Sequence, residues 1–126
     1  TGAPVASMFQ QMCNGMSGVT GPLPSGFLDT SGLTGAPGGN MFAETFRGMT
    51  SIVAVDFTIG SGVEFTSANV SSALLRMFYG AANWTGNVYW GTNLLTTAIP
   101  VPDGSTAAFR GCTSKPNFAS LNANWK

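Results

Sequence analysis

Apolar residues recur along the chain at intervals of three and four, and the clearest run stops at a glycine. Phe42 and Phe46 are four residues apart, Met49 follows three residues later, and Gly48 interrupts the run. One apolar stripe at this spacing is typical of a helix that is buried on one face. Glycine is common just beyond a helix C-terminus, because it adopts the left-handed conformation without a Cβ clash. The pattern predicts a short helix ending near Gly48.

The residues after this run are typical of a β-strand. Residues 51–59 are rich in β-branched side chains and partly alternate between apolar and polar positions. The same plan returns further on, where a predicted helix through Phe78 ends at Gly80 and a predicted strand covers residues 84–90. The building unit predicted by the sequence is therefore one helix followed by one strand.

This unit is repeated along the chain. Residues 8–19 align with residues 41–52 at an offset of 33, and the Phe-Arg-Gly sequence at 46–48 returns at 109–111. The repeats cover approximately residues 1–33, 34–66, 67–98 and 99–126, and their equivalent glycines are Gly15, Gly48, Gly80 and Gly111. A unit of ~32 residues cannot bury its apolar face alone, so neighbouring units must stack. We expect a single α/β domain over residues 1–126, a solenoid of about four helix–strand repeats with a parallel sheet and the glycines in one column.

Three stretches carry a more specific pattern, namely residues 18–28, 33–52 and 109–114. They resemble the BspA-like, Treponema-type leucine-rich repeats of bacterial surface proteins. That family often has Gly-Cys-Thr after the repeat aromatic, whereas this chain has Met16, Met49 or Ala81 there and keeps the sulfur at Cys112. The resemblance implies a leucine-rich-repeat-like solenoid. It also implies a secreted, non-catalytic bacterial protein that serves adhesion, display or assembly at the cell surface, with no catalytic residues to carry over.

The two ends of the predicted stack differ. The last unit has Lys115 and Pro116 where earlier units have core residues, which is typical of a terminal repeat. The first unit opens with Met8 and Met12 in full repeat phase and shows no polar cap. Either preceding repeats or another molecule covers that end, and a head-to-tail contact that does not close gives a fibre. We therefore expect a homo-oligomer or fibre with Met8 and Met12 at its interface.

The composition excludes several function classes. Charged residues make up 8% of the chain, its formal net charge is zero, and it has no histidine and two cysteines. The zero net charge gives no excess of positive charge with which to bind nucleic acid. The lack of histidine excludes Ser-His-Asp and Cys-His catalysis and, with two cysteines, most zinc sites. We expect no enzyme activity, cofactor or metal. No apolar run is long enough to span a bilayer, so we expect no membrane insertion. The chain begins with threonine, which fits a mature secreted protein or a fragment, and we expect an extracellular or cell-surface location.

The thiols leave two interpretations open. Cys13 and Cys112 have no metal-binding spacing, so each is either a buried structural residue or part of an intersubunit disulfide between stacked copies. An intrachain bridge is disfavoured, because three turns of a stack separate them by about 14 Å, whereas bridged Cα atoms lie within ~7 Å.

A monomeric carbohydrate-binding or host-protein-binding module is the alternative function. Tyr89 and Trp90 are adjacent on a predicted strand, so one of the two should point outward and could contact such a ligand. Asn69 and Asn83 begin Asn-x-Ser/Thr sequons and are possible glycosylation sites in a suitable secretory host.

Overall fold

The fold contains one small mixed sheet and short helices. The computed structural model describes residues 2–24, 26–53, 56–66, 70–99 and 106–126. Its elements are β1 (Phe57–Ile59), α1 (Val70–Ala73), β2 (Val88–Trp90), β3 (Asn93–Leu94), α2 (Leu95–Ala98) and two 3-10 turns at Phe118–Ser120 and Ala123–Trp125. Strand β1 pairs in parallel with β2, and β2 pairs antiparallel with β3. Gly91, at φ +59°, opens the two-residue turn between β2 and β3, where a glycine relieves the strain of a positive φ.

The predicted leucine-rich-repeat-like solenoid of four helix–strand repeats is therefore wrong. Within the described residues each α-helix has four residues, and one mixed sheet of three strands replaces the expected parallel sheet. The strands predicted over residues 51–59 and 84–90 are observed as the three-residue strands β1 and β2. The reason lies in the hydrogen bonding of the segments that were predicted to be helical.

Those segments are runs of turns. In residues 40–49, the N–H groups of Ala43, Thr45 and Arg47 donate to the carbonyl three residues earlier. The alternate N–H groups donate instead to a distant segment, with residues 42, 44, 46 and 48 bonded to the carbonyls of residues 73, 75, 77 and 79. An α-helix would send every one of them to the carbonyl four residues earlier. Alternate N–H groups thus bond to the neighbouring run. Because they are not available to carbonyls of their own run, an α-helix does not form.

The turns repeat every four residues, which accounts for the misleading apolar spacing. Asn40, Glu44 and Gly48 have φ values of 59°, 57° and 71°, so every fourth residue lies in the left-handed region. Residues four apart then have equivalent conformations, and Phe42 and Phe46 are both buried. A four-residue turn period and the 3.6-residue helical period give the same pattern over so short a run.

Four such runs lie side by side in the described part of the chain. We call them row 1 (residues 7–16), row 2 (40–49), row 3 (73–81) and row 4 (106–112). Row 1 donates N–H groups to row 2, row 2 to row 3 and row 3 to row 4. A Cβ atom on Gly48 would lie 3.7 Å from the Cα of Gly15, and one on Gly111 would lie 3.3 Å from the Cα of Gly80. The expected alignment of the glycines is confirmed for these two pairs.

The core contains two stacks of aromatic rings that run across the rows and are joined by edge-on contacts with Phe57. Phe9 stacks on Phe42 at a centroid distance of 5.2 Å, and Phe46 stacks on Phe78 at 4.9 Å. Trp84 lies parallel to Phe78 at 3.7 Å. Each row thus contributes its apolar side chains to one shared interior, where burial and offset stacking stabilise the fold.

Lys115 lies inside this core rather than on the surface. Its side chain is 3% exposed and occupies the repeat position of Ile52 and Trp84. The Nζ atom donates to the Gly86 carbonyl at 2.9 Å and to the Asn87 Oδ1 atom at 3.1 Å. Burial lowers the pKa of this lysine from its ordinary value. The hydrogen bonds satisfy the buried ammonium group, which burial would otherwise penalise strongly.

Candidate functional site

The row 4 end of the stack is closed by the C-terminal 3-10 turn. The N–H groups of Ala107 and Phe109 donate to the carbonyls of Asn124 and Trp125 at 3.1 and 2.9 Å. The Trp125 side chain is 1% exposed, and its ring lies 5.8 Å from that of Phe109. The backbone donors of Ala107 and Phe109 and the apolar side chains at this end are therefore covered, which is typical of a terminal repeat.

The row 1 end of the stack is open. In row 2 the carbonyls of residues 41, 43, 45 and 47 each accept an N–H group from row 1. The equivalent carbonyls of row 1 belong to residues 8, 10, 12 and 14, and no backbone N–H group of the described residues donates to them. Because the rows repeat the same conformation, these four carbonyls face away from row 2. They form an uncovered line of hydrogen-bond acceptors.

Apolar side chains accompany these carbonyls. Met8, Met12 and Met16 are 37%, 45% and 47% exposed. The residues at the same positions of row 2 are at most 1% exposed; they are Met41, Thr45 and Met49. We call the carbonyls of residues 8, 10, 12 and 14, together with the side chains of Met8, Met12 and Met16, the open edge. The predicted interface residues Met8 and Met12 both lie on it.

The polarity of the open edge restricts what can pair with it. Its backbone groups are all acceptors, so two copies of the edge facing one another would place carbonyl against carbonyl. A symmetric dimer through this edge therefore gains no backbone hydrogen bonds. The edge requires a partner that presents N–H groups at alternate residues, as rows 1, 2 and 3 do on their other side. The sequence does not predict that the carbonyls of Gln10 and Asn14 lie on this edge, because a side-chain pattern does not indicate the direction of a backbone carbonyl.

Both cysteines are buried free thiols. Cys13 in row 1 is 4% exposed, and Cys112 in row 4 is fully buried. The Cys112 Sγ atom donates to the Phe78 carbonyl at 2.9 Å. Burial raises the pKa of the Cys13 thiol and raises that of Cys112 to about 12. Burial therefore disfavours the reactive thiolate form of both residues in the single chain.

Tyr89 and Trp90 both lie half-buried on strand β2. The Trp90 ring packs edge-on against Phe65 at 5.7 Å, and its Nε1 atom has no hydrogen-bond partner among the described residues. Tyr89 pairs with Leu94 of β3 in the sheet register. The structure thus brings the two residues together on one strand, each partly engaged by its neighbours.

The two sequons differ in what can be described. Asn69 lies outside the described residues. Asn83 is exposed, and its Nδ2 atom donates to the Thr50 carbonyl at 2.7 Å. Attachment of a sugar would use this same nitrogen, so modification of Asn83 would have to break a contact between the segments that follow rows 2 and 3.

Two carboxylates line an open groove of about 340 Å³ beside strand β1. Asp29 accepts the N–H group of Ser31 at 2.9 Å, and this hydrogen bond lowers the pKa of the carboxyl group. Asp56 accepts the N–H group of Asn87 at 2.8 Å. Asp29 therefore holds its own loop, whereas Asp56 joins its segment to that of Asn87. Within the described residues no three side chains of the metal-ligating types come together.

Comparison of the chain with protein-family models, with curated proteins and with solved structures finds no match. The resemblance to BspA-like repeats therefore stays a prediction. In the described part of the chain no helix has the length and apolar character needed to cross a bilayer.

Proposed function

We propose that the protein is a non-enzymatic structural or adhesive module that associates head-to-tail with copies of itself through the open edge. The observation that carries this proposal is the contrast between Met12, which is 45% exposed, and Thr45, which is fully buried at the same repeat position. Row 2 is covered by row 1, whereas no described row covers row 1. Open, charge-poor edges of this kind favour association.

The complementary surface is the donor side of row 4 in a second copy. There the N–H groups of Ala107 and Phe109 are held by the C-terminal 3-10 turn through two hydrogen bonds. The contact between rows 1 and 2 uses the N–H groups of residues 9, 11, 13 and 15. Row 1 of another copy presents the same line of carbonyls as row 2. It can therefore accept the N–H groups of row 4 in place of the 3-10 turn and form a longer contact. We call residues 122–125 the C-terminal cap.

The resulting assembly is a fibre. Each copy presents one acceptor edge and, once its cap has moved, one donor edge, so the contact is heterologous. A heterologous contact whose rotation does not close into a ring continues indefinitely. The resemblance to bacterial surface repeats supports an extracellular or cell-surface location for such a fibre. Because the chain carries few charges, electrostatic repulsion between neighbouring copies is weak.

Light scattering coupled to size exclusion, followed by negative-stain microscopy, tests the proposal. We expect the wild-type mass to rise with concentration and filaments to appear at the highest concentrations. Met12→Lys places a hydrated ammonium group on the open edge, where pairing would have to desolvate it, so this variant should remain monomeric.

Val53→Lys is the matched control, since Val53 is 47% exposed and lies outside the rows. It adds the same charge and should assemble as the wild type does. A wild-type protein that stays monomeric at all concentrations contradicts the proposal, as does equal assembly of the wild type and Met12→Lys.

A further inference from the structure

Side chains at equivalent positions form two parallel columns on the surface of the rows. The first column contains the residue before each aligned glycine: Asn14, Arg47, Tyr79 and Arg110. The second contains the residue four before each aligned glycine: Gln11, Glu44, Arg76 and Ala107. Neighbouring rows are hydrogen-bonded along their backbones, so successive members of a column are about 4.8 Å apart, the usual spacing of paired chains.

Three of the five cations of the chain converge on one ring in these columns. The guanidinium carbons of Arg47, Arg76 and Arg110 lie 5.3, 5.8 and 5.9 Å from the centre of the Tyr79 ring. These distances are within the range of cation–π attraction. Because Tyr79 lies between Arg47 and Arg110 in its column, the ring separates two guanidinium groups that would otherwise repel one another.

One carboxylate serves this cluster among the described residues. The Glu44 Oε1 atom lies 2.8 Å from the nearest nitrogen of Arg47 and 3.8 Å from that of Arg76, while its Oε2 atom accepts a hydrogen bond from Gln11. Arg110 is exposed and contacts the Tyr79 ring, and no described carboxylate lies within ion-pair distance of it. The three arginines and Glu44 together therefore have an excess of two positive charges.

We propose that the cluster of Arg47, Arg76, Tyr79 and Arg110 binds a carboxylated polysaccharide that runs along the columns. A guanidinium group can match a carboxylate with two parallel hydrogen bonds, and within the cluster Arg47 already donates one hydrogen bond to Glu44. Arg110 is exposed, so its guanidinium group is available to such a carboxylate. Cations on three successive rows suit a linear polymer with regularly spaced anionic groups.

An extended peptide fits this surface less well. The N–H groups of Gly48 and Gly80 donate to the carbonyls of Tyr79 and Arg110, so the backbone along the first column is occupied between rows. Peptide recognition by strand addition needs free backbone groups. Recognition here must use side chains alone, which suits a ligand that presents charged and ring groups rather than a backbone.

Nucleic acid also fits less well. The net charge of the whole chain is zero, and its other two cations are Lys115, which is buried, and Lys126, which lies over Phe118. Binding through a few phosphate contacts weakens steeply with salt, and an excess of two charges supports few of them. We therefore expect discrete pairing with carboxylates rather than a general attraction to polyanions.

Binding of fluorescently labelled polygalacturonate, a polymer of carboxylated sugars, tests the proposal at protein concentrations below those of assembly. The wild type should bind it at low salt, should bind more weakly at about 150 mM salt, and should not bind neutral dextran. Arg110→Gln removes a guanidinium group that has no carboxylate partner among the described residues and should weaken binding ~10-fold. Tryptophan fluorescence and circular dichroism establish that the variant keeps its fold.

Lys126→Gln is the matched control, because it removes one positive charge and one cation–π contact away from the cluster. It should bind polygalacturonate within about twofold of the wild type. Absence of wild-type binding at low salt overturns the proposal, and so does an equal loss in Arg110→Gln and Lys126→Gln. Tighter binding of an oligothymidylate than of polygalacturonate, with the same dependence on Arg110, overturns it in favour of nucleic acid.

Discussion

Met12 and Thr45 occupy the same position in rows 1 and 2, yet Met12 is 45% exposed and Thr45 is fully buried. The hydroxyl group of Thr45 donates to the carbonyl of Phe9 in row 1, so row 1 covers this residue of row 2 directly. No described row does the same for Met12. The function proposed for the protein follows from this difference between two equivalent residues.

Loosening the C-terminal cap should promote assembly. The Asn122 side chain accepts the N–H group of Asn124, and the Asn124 carbonyl accepts the N–H group of Ala107. Asn122→Ala removes this hydrogen bond at a cost of about 1 kcal/mol to the cap and leaves Trp125 in place. The concentration at which oligomers appear by light scattering should fall. An unchanged or higher concentration would show that the cap does not compete with the open edge.

Replacing a glycine of the column should destabilise the fold. Gly111 has φ +82°, and a Cβ atom there would lie 3.3 Å from the N and Cα atoms of Gly80. We expect Gly111→Ala to lower the free energy of unfolding by about 1 to 3 kcal/mol in urea titrations. Gly18 has open space around it and no positive φ, so Gly18→Ala should change stability by less than about 0.5 kcal/mol. Equal effects of the two substitutions would contradict the close approach of rows 3 and 4.

The thiols should not react in the folded chain. The pKa of Cys112 is raised from 9.0 to about 12, so its thiolate fraction at pH 8 falls by about a thousandfold. Burial also raises the pKa of Cys13. A thiol reagent should label both residues in denaturant and neither in native buffer at pH 8. Rapid native labelling would contradict the burial of the thiols, whereas a dimer on a non-reducing gel that reductant removes would support the intersubunit disulfide considered from the sequence.

Lys115 should make the stability depend on alkaline pH. Burial lowers its pKa in the folded state below the ordinary value of 10.5, so over the interval between the two values the unfolded chain binds more protons. The contribution of Lys115 to the free energy of unfolding therefore rises with pH up to about 10.5. Urea titrations of the wild type and Lys115→Met should show a difference that shifts in favour of the wild type as pH increases. A difference that is constant across this interval would mean that the lysine titrates normally.

The sequence predicted which positions are buried better than it predicted the backbone. Phe42, Phe46 and Phe78 lie in the core as expected, and the glycine pairs are in register. The prediction of helices was wrong because a four-residue turn period and a helical period give the same spacing of apolar residues over two turns. What separates the two is the destination of alternate N–H groups, such as that of Phe46 to Met77, and side-chain patterns do not encode this destination.

The candidate site was predicted in part. Met8 and Met12 were expected at an interface from their repeat phase, and both are exposed on the open edge. The burial of Lys115 was not foreseen, because its ammonium group is satisfied by Gly86 and Asn87 from the preceding unit. The convergence of three arginines on Tyr79 also depends on the alignment of rows. Contacts between units follow from tertiary register, which the local sequence does not contain.

Site-resolved amide hydrogen exchange on the monomer can establish whether the rows are joined edge to edge, as the open edge on row 1 requires. We expect alternating protection in row 2, with the amides of Phe42, Glu44 and Phe46 exchanging more slowly than those of Ala43 and Thr45, because the slow set bonds to row 3. Row 1 should show the same alternation. Uniform protection along residues 41–48 would indicate a helix and would contradict the rows, the open edge and the proposed assembly together.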